Sequence, residues 1–234
     1  MKKNIRSILL LLPIVAMLAR AEEAAEASEK FSILGFSVEP DTQYPSGRNS
    51  NIRGVSLSLL VELRNNVRGV AVGSGASMIE NDMTGIQFAL VASGAGKLNG
   101  IQAGGLFAGA GSFDGVIFTG LFNITGRGQS RGLQIAGLGN LPFDKGGLNG
   151  GQIALLLNGA NDLKGFQIGF GINAATEING LQIAGVFNYA ETLRGLQISA
   201  VNVARGGSGM QIGLLNFFGT GDNRLVLPLL NARF

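Results

Sequence analysis

A nine-residue phrase, Gly-Leu-Gln-Ile-Ala-Gly-Val-Phe-Asn as it stands from Gly180 to Asn188, recurs along the chain at a spacing of about fifteen residues. The opening glycines are Gly54, Gly69, Gly85, Gly100, Gly115, Gly132, Gly150, Gly165, Gly180, Gly195 and Gly209, separated by 15, 16, 15, 15, 17, 18, 15, 15, 15 and 14 residues. Units this short and this alike cannot each bury a core alone. They must stack on their neighbours, so an array is expected rather than a mosaic of domains.

Within a unit, two apolar residues flank a polar one, as in Leu181-Gln182-Ile183. This period of two is that of a β-strand. The polar place is held by Gln87, Gln102, Gln134, Gln152, Gln167, Gln182, Gln197 and Gln211. An aliphatic pair follows, then asparagine at Asn123, Asn140, Asn158, Asn173, Asn188, Asn202 and Asn216, and by alignment Asn231. Two residues before most opening glycines lies another apolar side chain, among them Met83, Leu98, Phe113, Leu148, Leu163, Ile178 and Leu193.

Two all-β architectures suit such units. The expected one is a repeat β-solenoid of about twelve coils of ~15 residues each, with like residues ~4.8 Å above one another. The alternative is an antiparallel outer-membrane β-barrel of about 12–14 strands. Three details favour the solenoid. Antiparallel pairing gives Gln no reason to face Gln, whereas parallel stacking gives every place a reason to repeat. The phrase also loses a residue at its middle, from Ile183-Ala184-Gly185-Val186-Phe187-Asn188 to Ile198-Ser199-Ala200-Val201-Asn202. In a membrane strand that loss turns every later side chain to the other face. Finally Pro228 falls in that middle slot of the last unit, where proline blunts an open edge; Pro40 is expected to do the same at the front.

On this reading Leu181, Ile183, Val186 and Leu193 point into the coil as aliphatic stacks, and Asn188 turns a corner and pairs with its copy above. Gln and Asn form neutral structural ladders, since a charge repeated in register would face its own copy. The long spacings after Gly115 and Gly132 become loops at 126–130 and 141–147, the first place to seek a binding patch. Phe107, Phe122 and Phe187 are candidates for an apolar stripe facing a membrane or partner. The expected divisions are 31–53 for a first strand and capping loop, 54–218 for the array and 219–234 for a modified terminal repeat.

Residues 1–21 have the form of a signal peptide: Lys2, Lys3 and Arg6, an apolar run from Ile8 to Leu18, then Ala19-Arg20-Ala21 for cleavage. Ala25-Glu26-Ala27 is a second cleavage candidate, and 22–30 reads as a mobile acidic leader. The first 21 residues hold four of the 18 Lys plus Arg and none of the 15 Asp plus Glu, so the remainder carries 14 − 15 = −1. No basic stripe argues for nucleic acid.

Cysteine and histidine are both absent. Disulfides, thiolate nucleophiles, Cys/His metal sites and Ser-His-Asp triads are thereby excluded. Ser93-Gly94-Ala95-Gly96-Lys97-Leu98 has the flavour of a phosphate loop, but Val91 stands at the first glycine and Leu98 replaces Ser/Thr. Asp162, Glu177 and Glu191 recur at 15 and 14 residues and could line one edge; solvated turns account for them. No catalytic residue, cofactor or metal ligand is assigned.

In the Gly-Leu-Gln-Ile phrase with its trailing asparagine, in Ile52-Arg53-Gly54-Val55-Ser56-Leu57-Ser58-Leu59-Leu60, and in Leu227-Pro228-Leu229-Leu230-Asn231 with Phe234, residues 31–234 resemble the surface-repeat-containing proteins named first from spirochaetes and found in other two-membraned bacteria. The resemblance implies a place at the cell envelope, the outer membrane or cell surface, with no activity to carry over. Some of those proteins look like lipoproteins, and this chain differs in having no cysteine. The expectation is a non-enzymatic exported envelope protein with a structural or adhesive surface, meeting a protein or glycan there and associating with the outer membrane. The barrel alternative would carry a pore or transport role.

Overall fold

The computed structural model describes residues 31–39, 41–46, 50–126, 128–220 and 225–234. The expected signal peptide, the acidic leader and Pro40 lie outside the described residues. Regular structure among those described is all β, and the chain divides into two compact units, one ending at Gly115 and one beginning at Val116.

The first unit holds β1 (Phe31–Ser37), β2 (Gln43–Tyr44), β3 (Asn51–Ser58), β4 (Val61–Arg64), β5 (Asn66–Gly73), β6 (Ala76–Ala89), β7 (Ala92–Gly104) and the start of β8 (Phe107–Thr119). β1 runs parallel to β3, and short β2 closes against it antiparallel, with Phe36 opposite Tyr44. From there pairing is parallel and in register: Gly54 opposes Gly69, Gly69 opposes Gly85, and Gly85 opposes Gly100. β4 pairs with the first half of β6, Glu62 opposite Ser77. Consecutive windings thus stack with like residues over like.

The second unit takes the end of β8, then β9 (Phe122–Thr125), β10 (Ser130–Ala136), β11 (Gly139–Pro142), β12 (Gly147–Ala154), β13 (Leu157–Gly169), β14 (Ile172–Ala184), β15 (Phe187–Ile198), β16 (Val201–Phe218) and β17 (Leu225–Arg233). β10 and β12 to β16 form a parallel ladder in which Gln134, Gln152, Gln167, Gln182, Gln197 and Gln211 oppose one another in turn. β9, β11 and β13 do the same for Asn123, Asn140 and Asn158. This is a β-solenoid, and parallel pairing is not that of an antiparallel barrel.

Because Phe187 lies opposite Ile172, the chain comes back over itself after fifteen residues. A straight strand as long as β14 would reach ~43 Å at ~3.3 Å per residue. β14 must therefore bend. Gly180 supplies one bend at φ 149°, and a Cβ there would also run into the carbonyl oxygen of Gly165. A second bend falls at Gly185-Val186, between β14 and β15.

The inward face differs from expectation by one step of the β alternation. Gln182 and Asn188 are buried, whereas Leu181 and Ile183 are half-buried and Val186 is 50% exposed. Of the four residues expected inside, only Leu193 is fully so. Period two fixes which residues share a face but not which face is the interior. Parallel in-register stacking settles it for the amides, because a Gln above a Gln satisfies its own donor and acceptor, while a lone buried amide would not. Asn188 does not turn the corner either; the bend is at Gly185-Val186, and Asn188 is an inward residue of the next strand.

The terminal unit also differs. β17 runs antiparallel to β16, so Asn231 faces Gln211 and not Asn216. The register slips between Gly213 and Asn216, where Pro228 stands, and Leu229 has φ 66°. A bulge spares proline the ladder bond that it cannot make. The expected loops begin and end close to their predicted bounds, between Thr125 and Ser130 and between Pro142 and Gly147. Within the first, Arg127 is outside the described residues.

Candidate functional site

From β10 onward the coils of the second unit contribute the same interior amides. Gln152 Nε2 donates to Gln134 Oε1 at 2.8 Å, Gln167 to Gln152 at 2.8 Å, Gln182 to Gln167 at 2.8 Å, Gln197 to Gln182 at 2.7 Å and Gln211 to Gln197 at 2.8 Å. The same amide groups also span the interior to a carbonyl oxygen six or seven residues on, as Gln182 Nε2 does to Tyr189 at 3.1 Å. From Gln152 onward, each coil's two walls are tied together by its own glutamine.

The asparagines form a second column of opposite polarity. Asn123 Nδ2 donates to Asn140 Oδ1, Asn140 to Asn158, Asn158 to Asn173, Asn173 to Asn188, Asn188 to Asn202 and Asn202 to Asn216, all at 2.8–3.0 Å. Each also donates to a carbonyl oxygen of the following coil just before its bend, as Asn173 does to Ile183 at 2.8 Å. Glutamines thus point their N–H groups toward earlier coils and asparagines toward later ones. Asn231 stands outside this column, donating to the backbone oxygens of Asn216 and Leu225. Leu163, Ile178 and Leu193 fill the rest of the interior, each buried aliphatic contributing on the order of 1.5–3 kcal/mol.

The first unit builds its interior differently. Gln102 Nε2 donates to Gln87 Oε1 at 3.2 Å, and Gln87 Nε2 donates to Ser77. Where later coils have asparagine, this unit has Glu62, Ser77, Ser93 and Ala108. Glu62 accepts from Ser56 and Ser77 hydroxyls at 2.6 Å each and lies 3.6 Å from Arg64 Nε, with both side chains fully buried. Arg64 donates onward to the carbonyl oxygens of Phe36, Tyr44 and Pro45 and to Ser50 Oγ. Burial holds the Arg64 guanidinium below its usual pKa, and the Glu62 charge and hydrogen bond work against that shift. This pair fastens the capping segment to the first coils. The sequence carried the signal in Val61-Glu62-Leu63-Arg64, whose alternation puts both charges on one face.

The glutamines are enclosed, so they present nothing flat to a glycan or protein. Ser93 and Leu98 are likewise buried within β7, which leaves no phosphate loop there. Asp162 lies opposite Glu177, but Glu177 opposes Thr192, so Glu191 falls one residue off the row. Asp162, Lys164, Glu177 and Arg194 line a shallow charged groove on that edge. Among the described residues no three carboxylates stand close enough to hold a metal ion.

Beside these charged turns, the second unit exposes apolar side chains. Phe170 and Leu214 are each 68% exposed, and Leu155, Leu156, Val186 and Leu215 are exposed beside the same bend of their coils. Phe122 and Phe187, expected in such a stripe, are half-buried instead. In the first unit Phe107 packs over Ala92 and Met78. The doubled apolar residues at the bend, Leu155-Leu156 and Leu214-Leu215, were the available signal.

Compared with protein-family models, with curated proteins and with solved structures, the chain finds no match.

Proposed function

We propose that this is a non-enzymatic, exported cell-envelope protein whose β-solenoid serves as a structural or adhesive surface at the outer membrane of a two-membraned bacterium. One observation carries the reading: the recurring polar side chains are used up inside the coils in hydrogen bonds to one another, while the outside offers apolar ridges and charged turns. Such a surface is made for contact, not for chemistry. The basic, apolar and small-residue segments of 1–21 support export.

Fractionation of cells making the tagged chain tests this. The expected result is recovery in the envelope, a new N-terminus after Ala21 or Ala27, and release by alkaline carbonate. Recovery of the uncleaved chain in the cytoplasm would overturn it.

A further inference from the structure

We infer that the exposed bend of the second unit is a docking ridge for an anionic lipid surface, into which Phe170, Leu214 and their neighbours insert. The inference deepens the envelope reading and rests on it only for where such a surface would be met.

Three observations choose lipid over other occupants. The first is charge. The residue before each opening glycine is exposed, and in successive coils from β10 onward it is Arg131, Asn149, Lys164, Asn179, Arg194 and Ser208. Basic residues thus alternate with neutral ones, ~9.6 Å apart at two coil spacings, and none is acidic. Phe166 and Ile168, with their counterparts in the other coils, lie between this column and the ridge. The acidic residues Asp162, Glu177 and Glu191 lie two or three residues further back. On the side that runs back from the bend through Ile168 and Phe166, one meets cations first and carboxylates afterwards, the order that suits phosphate headgroups over an acyl layer; on the side that runs forward, Glu177 and Glu191 come first.

The second is area. Six coils at ~4.8 Å and six residues at ~3.3 Å give a footprint of about 17 by 24 Å, on the order of 400 Å². A stable dimer of standard size buries ~800 Å² per partner, so a second copy of this chain would be held poorly by this face.

The third is shape. Phe170 sits where the chain bends between β13 and β14, and Leu214 stands at the matching place of its coil, within β16. A convex ridge needs a partner that flows around it, and a bilayer surface does.

The chain has no cysteine, so a single introduced thiol is the only one to label. The full chain is made as Phe170→Cys and as Glu177→Cys, each carrying an environment-sensitive fluorophore, and mixed with phosphatidylglycerol–phosphatidylethanolamine vesicles. Residues 1–30 are common to both, so their contribution cancels. The label at 170 is expected to shift to the blue, and that at 177 to stay unchanged. Leu214→Cys gives the same reading should the first variant misfold, as judged by circular dichroism. The triple variant Arg131→Gln/Lys164→Gln/Arg194→Gln is expected to lower vesicle affinity about a hundredfold at low salt, at roughly fivefold per charge. Equal shifts at 170 and 177, no loss of affinity in the triple variant, or a label shielded by self-association without vesicles would each overturn the inference. Failure here would leave cell fractionation unaffected, and a cytoplasmic location would leave the vesicle result standing.

Discussion

Gln182 and Gln167 are both fully buried, one directly over the other, and the first donates to the second at 2.8 Å. The relationship departs from the ordinary plan of a globular fold, since amides share the interior with Leu163, Ile178 and Leu193 while other aliphatics line much of the outside. It works because the repeat puts an identical amide one coil away in each direction. A lone Gln there would leave buried donors and acceptors unmet, at ~1–3 kcal/mol each. Repetition is therefore the condition for a polar interior, not its by-product.

The ladder should respond asymmetrically to exchange of Gln and Ile. Gln167→Leu leaves Gln152 Oε1 without a donor and deprives Gln182 Nε2 of one acceptor. Even after the gain from an apolar side chain, we expect a loss of about 2 kcal/mol or more. Ile117, fully buried, holds the glutamine place in the coil before Gln134, whose Nε2 has no partner among the described residues. Ile117→Gln would give that group an acceptor, offsetting the lost aliphatic burial to within about 1 kcal/mol. Denaturant midpoints of the two variants should differ clearly, and equal losses would refute the ladder's energetic role.

The glycine column should be intolerant where it bends. Gly180→Ala places a Cβ against the carbonyl oxygen of Gly165 at a φ that L-residues rarely adopt, so a loss of about 3 kcal/mol or more is expected. Gly206 is the control, because a Cβ there meets nothing nearer than Glu191 O at 3.7 Å. Thermal melts should show Gly206→Ala close to the parent. A parental melt for Gly180→Ala would mean that the coil closes in some other way.

Repetition also decided what could be read in advance. The unit length, the parallel stacking and the place of Leu193 inside follow from periodicity, because a stacked coil constrains every position at once. The side on which Leu181 and Ile183 lie did not follow, since alternation is symmetric about the strand and only the neighbouring coil breaks the tie. Arg64 and Glu62 are marked only by the local alternation of Val61-Glu62-Leu63-Arg64: they occur in one coil, so no fifteen-residue recurrence points to them. The reversal of β17 is similar. Its residues match the repeat at an offset of fifteen, yet an antiparallel return satisfies the edge of β16 as well as a parallel one.

Removing one partner of the buried ion pair should cost more than removing both. Arg64→Met leaves the Glu62 carboxylate enclosed, with only two hydroxyl donors, and is expected to cost about 3–5 kcal/mol. Glu62→Gln/Arg64→Met replaces the charge with the amide that later coils use in their interior, and should recover part of that loss. A double-mutant cycle from chemical denaturation measures the coupling. Additive losses would show that the pair acts as two independent hydrogen-bonding groups.

Leu229 offers a test in the opposite direction, toward greater stability. It has φ 66° and is 70% exposed, so its side chain returns little burial for a backbone state that disfavours a Cβ. The left-handed conformation costs a non-glycine residue roughly 1–2 kcal/mol, and glycine's greater freedom in the unfolded chain takes back ~0.5–1 kcal/mol. Leu229→Gly should therefore raise stability by about 0.5–1 kcal/mol, read as a higher denaturation midpoint with an unchanged slope. Leu230→Gly, one residue on and without the positive φ, should lower it. If both substitutions destabilise equally, the bend beside Pro228 is not where the return strand is strained.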